Sequence, residues 1–189
     1  MSDRPRPCPA AVAALALCAL AAFLPVGAAD AATVKKGPSG LAFYTPPKKL
    51  TGKHGDLIWS RTLKGTAALT GAARNTLVLY RSTSVSGKAI AVSGTVSIPK
   101  GKAPKGGWPV ISWAHGTTGA ADLCAPSRDA VSNPAHGYNA YVYPQLNAWL
   151  AAGYAVVRSD YEGLGTPGPH PYLIGASEGR GVVDIVSAA

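Results

Sequence analysis

Val110-Ile111-Ser112-Trp113-Ala114-His115-Gly116-Thr117-Thr118-Gly119 is the stretch on which the fold turns. Its first four residues form a short, mostly apolar run of the kind found in strands buried on both faces of a parallel sheet. Small residues follow at once. On the C-terminal side, residues 143–152 read as a helix ended by Gly153, and residues 154–158 as a second buried strand. Residues 178–189 read as a last helix, with Val182, Val186 and Ala189 on one face. On the N-terminal side, residues 99–107 are a loop. Before it, residues 76–83 and 89–98 are rich in β-branched and apolar types and flank Ser86-Gly87, a hairpin signal. Residues 57–63 offer one more short strand, after a Pro- and Lys-rich lead-in over residues 34–55 without a clear period. A hairpin followed by strand–helix–strand–helix predicts an α/β fold. The sheet is mixed, with an N-terminal antiparallel hairpin followed by parallel strand–helix units.

Composition narrows the class. Of 189 residues 47% are hydrophobic and 14% charged, which excludes disorder as a description of the whole chain. Glycine and proline, 22 and 16 residues, make turns and loops abundant. No long-period repeat is present, which argues against a solenoid. Three cysteines are too few for a disulfide-rich miniature scaffold.

The first 31 residues read as a secretory signal peptide. Arg4 and Arg6 precede an apolar run from residue 10 to residue 24, and Ala29-Asp30-Ala31 supplies the small-residue cleavage pattern. The run is short for a membrane span and ends at Pro25. A secreted chain of residues 32–189, with no stable membrane span, is the expectation. Cys8 and Cys18 would leave with the signal, so Cys124 remains as a free thiol, an intermolecular bridge or one half of a pair. The last helix reaches Ser187-Ala188-Ala189 without a glycine, a proline or a basic last turn, so the chain is expected to be truncated.

Charge is unevenly divided. Between Lys35 and Lys105 stand 13 Lys or Arg and one acid, Asp56, whereas residues 106–189 carry three bases and six acids. The bases are scattered among turns and strands rather than clustered with stacking aromatics. A solvated cationic surface is therefore expected, not a nucleic-acid interface.

In sheets with parallel strands, function sits at the strands' carboxyl ends. At the first such end, Gly116, Thr117 and Thr118 form a loop whose small residues let consecutive backbone N–H groups converge on one point. That is how an oxyanion hole is made; a glycine-rich turn without chemistry is the alternative. At the second, Asp160-Tyr161-Glu162-Gly163-Leu164-Gly165 holds paired carboxylates. These could serve acid–base work, but an acid here more often braces a loop by binding backbone N–H groups. His54, His136 and His170 have no partner at metal-ligand spacing, so no metal is expected.

From Pro109 to Ala189 the chain resembles the secretory lipases of the α/β-hydrolase superfamily. The resemblance lies in residues 113–119, Cys124-Ala125-Pro126-Ser127, Gly153-Tyr154-Ala155-Val156-Val157, residues 160–165 and His170-Pro171-Tyr172-Leu173, in that order. Val183-Asp184 in the final helix fits too, and residues 93–99 resemble the hairpin arm that precedes the family's core. The resemblance implies a secreted lipase or esterase that hydrolyses carboxylic esters, triacylglycerol-type substrates among them, by a Ser-His-Asp triad without a cofactor. It implies one oxyanion donor from the Gly116–Thr118 loop and a disulfide at Cys124 whose partner lies beyond the chain. It also implies a G-x-S-x-G elbow after one further strand. The chain ends before such a strand, so all three triad members would lie beyond Ala189 and the fragment would be inactive.

Gly175-Ala176-Ser177-Glu178-Gly179 does match G-x-S-x-G. Between Asp160 and Ser177, however, 16 residues include seven glycines or prolines, too broken for the helix a parallel crossover uses. Ser177 suits the N-cap of the last helix better. Two alternatives stand. One is a short esterase built on Ser177 with Asp184 or Asp160 and one of His115, His136 or His170. The other is a non-catalytic secreted module that binds anionic surfaces through its cationic half.

Overall fold

The computed structural model describes residues 34–189, and at their centre lies a five-stranded mixed sheet. Strands β1 (Leu57–Thr62), β2 (Ala72–Thr83) and β3 (Ala89–Pro99) are antiparallel neighbours. Strand β5 (Ala155–Ser159) pairs antiparallel with β3, and β4 (Val110–Trp113) pairs parallel with β5, giving the order β1-β2-β3-β5-β4. The helices are α1 (His136–Ala140), α2 (Tyr143–Ala151) and α3 (Gly175–Ala188). Single 3₁₀ turns lie at Gly40–Tyr44, Asp122–Cys124 and Pro126–Arg128. Among the described residues no helix is long and apolar enough to cross a membrane. The expected signal peptide lies outside the described residues.

Alternation along β2 divides the core. Val78 and Tyr80 face α3, where they pack with Val92, Val96, Val157 and Ile185. Leu77 and Leu79 point to the other side and meet Phe43, Tyr44 and Trp59 from the N-terminal lead-in and β1. On that side α2 seats Leu146 and Leu150 against Val156 and Leu69, with Trp113 and Trp149 packed at the margin. Each fully buried aliphatic side chain contributes about 1.5–3 kcal/mol.

Helix α3 approaches the sheet closely at glycines. A Cβ on Gly94 would run into the Arg158 carbonyl and the Ile185 side chain. Gly94→Ala is therefore expected to destabilise the protein by about 1–3 kcal/mol through overpacking, read as a lower denaturant midpoint at unchanged slope. Tyr80 bridges the same interface, its hydroxyl 3.0 Å from the Gly181 carbonyl and 2.7 Å from Ser159 Oγ.

The hairpin turn is held by Ser84 and Lys88, with Gly87 at φ +79. Strand β2 begins four residues before the expected start. Asn75 explains the extension, because its side chain exchanges hydrogen bonds with the Leu69 backbone and fixes the polar stretch against β3. Helix α3 begins three residues before its expected start. Helix α1 was not anticipated; Asp129 organises it by accepting from His136, Asn139 and the Tyr143 hydroxyl.

Strand β4 is the terminal strand of the sheet among the described residues and is less buried than expected, with Val110 44% exposed. Helices α2 and α3 cover its two faces, and Ser112 donates to the Val182 carbonyl, yet its outer hydrogen-bonding edge has no partner strand among the described residues. A bare apolar edge is a template for pairing. Residues 32–189 expressed alone are accordingly expected to self-associate with rising concentration. Val110→Lys, at the exposed start of the strand, should suppress this, and sedimentation velocity checks both.

Candidate active site

Parallel pairing brings the two candidate strand ends together. Trp113 lies beside Arg158 in the register, so the chain leaves β4 at His115 next to the point where it leaves β5 at Asp160. The His115 ring stacks on Tyr161 at 4.2 Å between centroids, and the Tyr161 hydroxyl donates to the His115 carbonyl at 3.0 Å. His170 lies on the same aromatic stack, its ring nearly parallel to Tyr161 at 6.4 Å between centroids, and donates from Nδ1 to the Glu162 carbonyl. Tyr172 is hydrogen bonded to Thr117 Oγ1 at 3.2 Å. These groups surround a cavity of about 130 Å³ whose wall includes Gly116, Thr117, Thr118 and Glu178.

Gly116 and Thr117 are exposed, Thr118 is buried, and the backbone N–H groups of all three donate to no protein acceptor among the described residues. The Thr118 hydroxyl likewise has no partner there. Unused donors at a strand's carboxyl end are able to bind an anionic oxygen.

The opposing loop is held in a demanding conformation. Tyr161 adopts φ +73, in the region that favours glycine, and a Cβ on Gly163 (φ +72) would collide with the Pro169 carbonyl. Such strain persists only where surroundings enforce it. Here they include the Tyr161 N–H bond to Ser159 Oγ and the paired contacts of Glu162 Oε2, which accepts from Val85 N–H at 3.0 Å and from the Ser177 hydroxyl.

Asp160 is fully buried, and its carboxylate accepts from Ser93 Oγ at 2.6 Å, from Ser127 N–H at 2.8 Å and from the Ser127 hydroxyl. Burial raises its pKa, and the three donors oppose that rise. It braces a distant segment rather than its own loop, across 33 residues of chain. Ser127 also meets the Tyr44 hydroxyl at 3.0 Å. Nothing local in the sequence marks Ser93 or Ser127 as partners of this acid.

His115 Nδ1 faces the Gly116 carbonyl at 2.7 Å, and since a carbonyl only accepts, this nitrogen carries the proton. Burial lowers the His115 pKa from 6.5, against the raising effects of the Gly116 carbonyl and Asp160. Between that lowered value and 6.5 the unfolded chain binds more protons, so stability rises with pH through the window and is lost as pH falls below 6.5. Asp160, with a raised pKa, acts in the opposite sense and loses stability as pH rises from 3.8. In His115→Gln only the second dependence should remain, so thermal midpoints measured from pH 4 upward should lose their acid-side rise.

Ser177 stands elsewhere than expected. Helix α3 begins at Gly175 with Ile174 as N-cap, so Ser177 is its third residue; its hydroxyl makes no cap bond and donates to Glu162 instead. The segment before it is a turn, with Leu173 at φ +60, not a strand. No hydrogen bond among the described residues joins Ser177 to a histidine. Asp184 pairs with His54 at 2.8 Å and accepts from Ser82, His136 pairs with Asp129, and none of the residues grouped with Ser177 is hydrogen bonded to its side chain among the described residues. The His54–Asp184–Ser82 contact, spanning 130 residues, had no signal in the sequence.

Cys124 is a free, half-buried thiol among the described residues, packed against Gly119 of the candidate loop. No group of three or more His, Cys, Asp or Glu residues there could hold a metal ion.

Neither a family model nor a curated protein matches the chain. Solved structures do. Lipase A from Candida antarctica, in its closed state, aligns at 27% identity with a TM-score of 0.66, over 77% of this chain and 34% of its own. A rice cell wall degrading esterase, LipA from Xanthomonas oryzae, aligns at 27% identity with a TM-score of 0.52, over 73% of this chain and 38% of its own. The chain has the lipase and esterase hydrolase fold. It spans about a third of the length of these neighbours.

Proposed function

We propose that this chain is the N-terminal part of a secreted carboxylic-ester hydrolase, a lipase or esterase acting by Ser-His-Asp acyl transfer. The observation that carries the reading is the set of unused backbone N–H groups at Gly116, Thr117 and Thr118, on a fold shared with a lipase and an esterase. The loop supplies one donor to the tetrahedral oxyanion. The N–H after the nucleophile supplies the other, and serine, acid and histidine follow Ala189 in that order. The strand bearing the nucleophile pairs with the open edge of β4. Residues 1–31 direct export and are removed after Ala31, and Cys124 pairs with a later cysteine. Lipid or small-molecule esters are the substrates.

The test is turnover of p-nitrophenyl esters by the product of the reading frame carried past the Ala189 codon. A new G-x-S-x-G serine whose alanine variant is inactive, with Ser177→Ala still active, supports the reading. Activity that disappears with Ser177→Ala in a folded protein, or no ester turnover at all, overturns it.

A further inference from the structure

A second cavity lies away from the strand ends, between the N-terminal lead-in, the end of β1 and the Pro126–Arg128 turn. Its volume, about 760 Å³, is within the range of small-molecule sites. Lys36, Arg61, Lys64 and Arg128 line it, and no carboxylate does. None of these four cations makes an ion pair among the described residues.

Two of the cations are held in place. Arg61 donates to the Pro38 carbonyl at 2.9 Å, and the Arg128 guanidinium lies 5.4 Å over the Tyr44 ring. Lys36 is fixed through its backbone, because the lead-in runs beside β1 with hydrogen bonds between Gly37 and Ser60 and between Ser60 and Lys35. Four like charges around one concavity repel, and a bound anion relieves that repulsion. The remaining wall is aliphatic. Leu41 and Leu123 are 66% and 45% exposed, and Leu63 lies between the charged positions Arg61 and Lys64 in sequence. Bare leucines of this size gain when an apolar chain covers them.

We infer that this cleft binds an anionic amphiphile, a single carboxylate or phosphate headgroup on an alkyl chain, taken up as a free molecule. The arginines meet the headgroup as planar forks, and Leu41 and Leu123 cover the chain. The inference is independent of the ester-hydrolase reading, since binding is measured without turnover.

The test is equilibrium dialysis of the purified full chain, at low concentration, against labelled dodecanoate and dodecyl phosphate below their micellar concentrations. The variants are Lys36→Gln/Arg61→Gln/Lys64→Gln and, separately, Leu41→Asp at an exposed position that leaves folding intact. The control Lys100→Gln/Lys102→Gln/Lys105→Gln removes the same charge from a loop outside the cleft. Saturable binding is expected, weakened at least about tenfold in both cleft variants and within about twofold of the parent in the control. Butyrate, lacking the chain, should bind more weakly. Absence of saturable binding, equal affinity in the cleft variants, an equal loss in the control, or retention only by phosphatidylglycerol vesicles overturns the inference.

Discussion

Asp160→Ala is expected to lower the stability of the described domain by about 3–4 kcal/mol. The substitution leaves Ser127 N–H without an acceptor inside the protein and strands the Ser93 and Ser127 hydroxyls beside it. Each buried group left unpaired costs about 1–3 kcal/mol. The loss is structural in origin, because this carboxylate ties β3 and the Pro126–Arg128 turn to the end of β5. Asp160→Asn keeps the acceptor oxygen for Ser127 N–H and the side-chain volume, and its amide NH2 can donate to the two hydroxyls that now donate to Oδ2, so a smaller loss of about 1–2 kcal/mol is expected. Guanidinium unfolding of the parent and the two variants checks the ranking. Equal midpoints for all three would show that the network contributes nothing to stability.

The second large effect concerns catalysis in the complete enzyme proposed above. Proline at position 117 or at position 118 removes one backbone N–H from the candidate oxyanion loop. At one of the two, kcat should fall about 10²–10³-fold with KM little changed, since the lost bond forms only with the transition state. Position 117 is the cleaner test because Thr117 is exposed, while Thr118 is buried. Thr117→Ser retains the N–H and should keep full turnover. Unchanged kcat in both folded proline variants would remove this loop from the chemistry.

Both effects originate at strand ends, and those ends were legible. The runs at Val110–Trp113 and Ala155–Val157 are mostly apolar because helices pack on the sheet there, and apolar runs between breakers are visible in any sequence. The loop Gly116–Thr118 was legible for the same local reason, being small residues directly after a strand. The partners of Asp160 were not, since Ser93 and Ser127 lie 67 and 33 residues from it and a serine's role depends on what faces it. Ser177 misleads in the same way. Its five-residue motif is local, but its hydroxyl is claimed by Glu162 through a turn of the chain that no pattern announces. The cationic cleft has a similar origin, since Lys36, Arg61, Lys64 and Arg128 are dispersed in sequence and only the docking of the lead-in onto β1 gathers them.

By itself, then, the sequence determined the alternation of hairpin, strands and helices, and the position of the small-residue loop that follows β4. These follow from apolar periodicity and turn residues acting over a few neighbours. Only the tertiary structure decided the sheet order β1-β2-β3-β5-β4, that Asp160 braces Ser93 and Ser127, and that His115 stacks on Tyr161. Sheet order and buried polar pairing depend on contacts between segments far apart along the chain, and those contacts are set by the packing of the whole core.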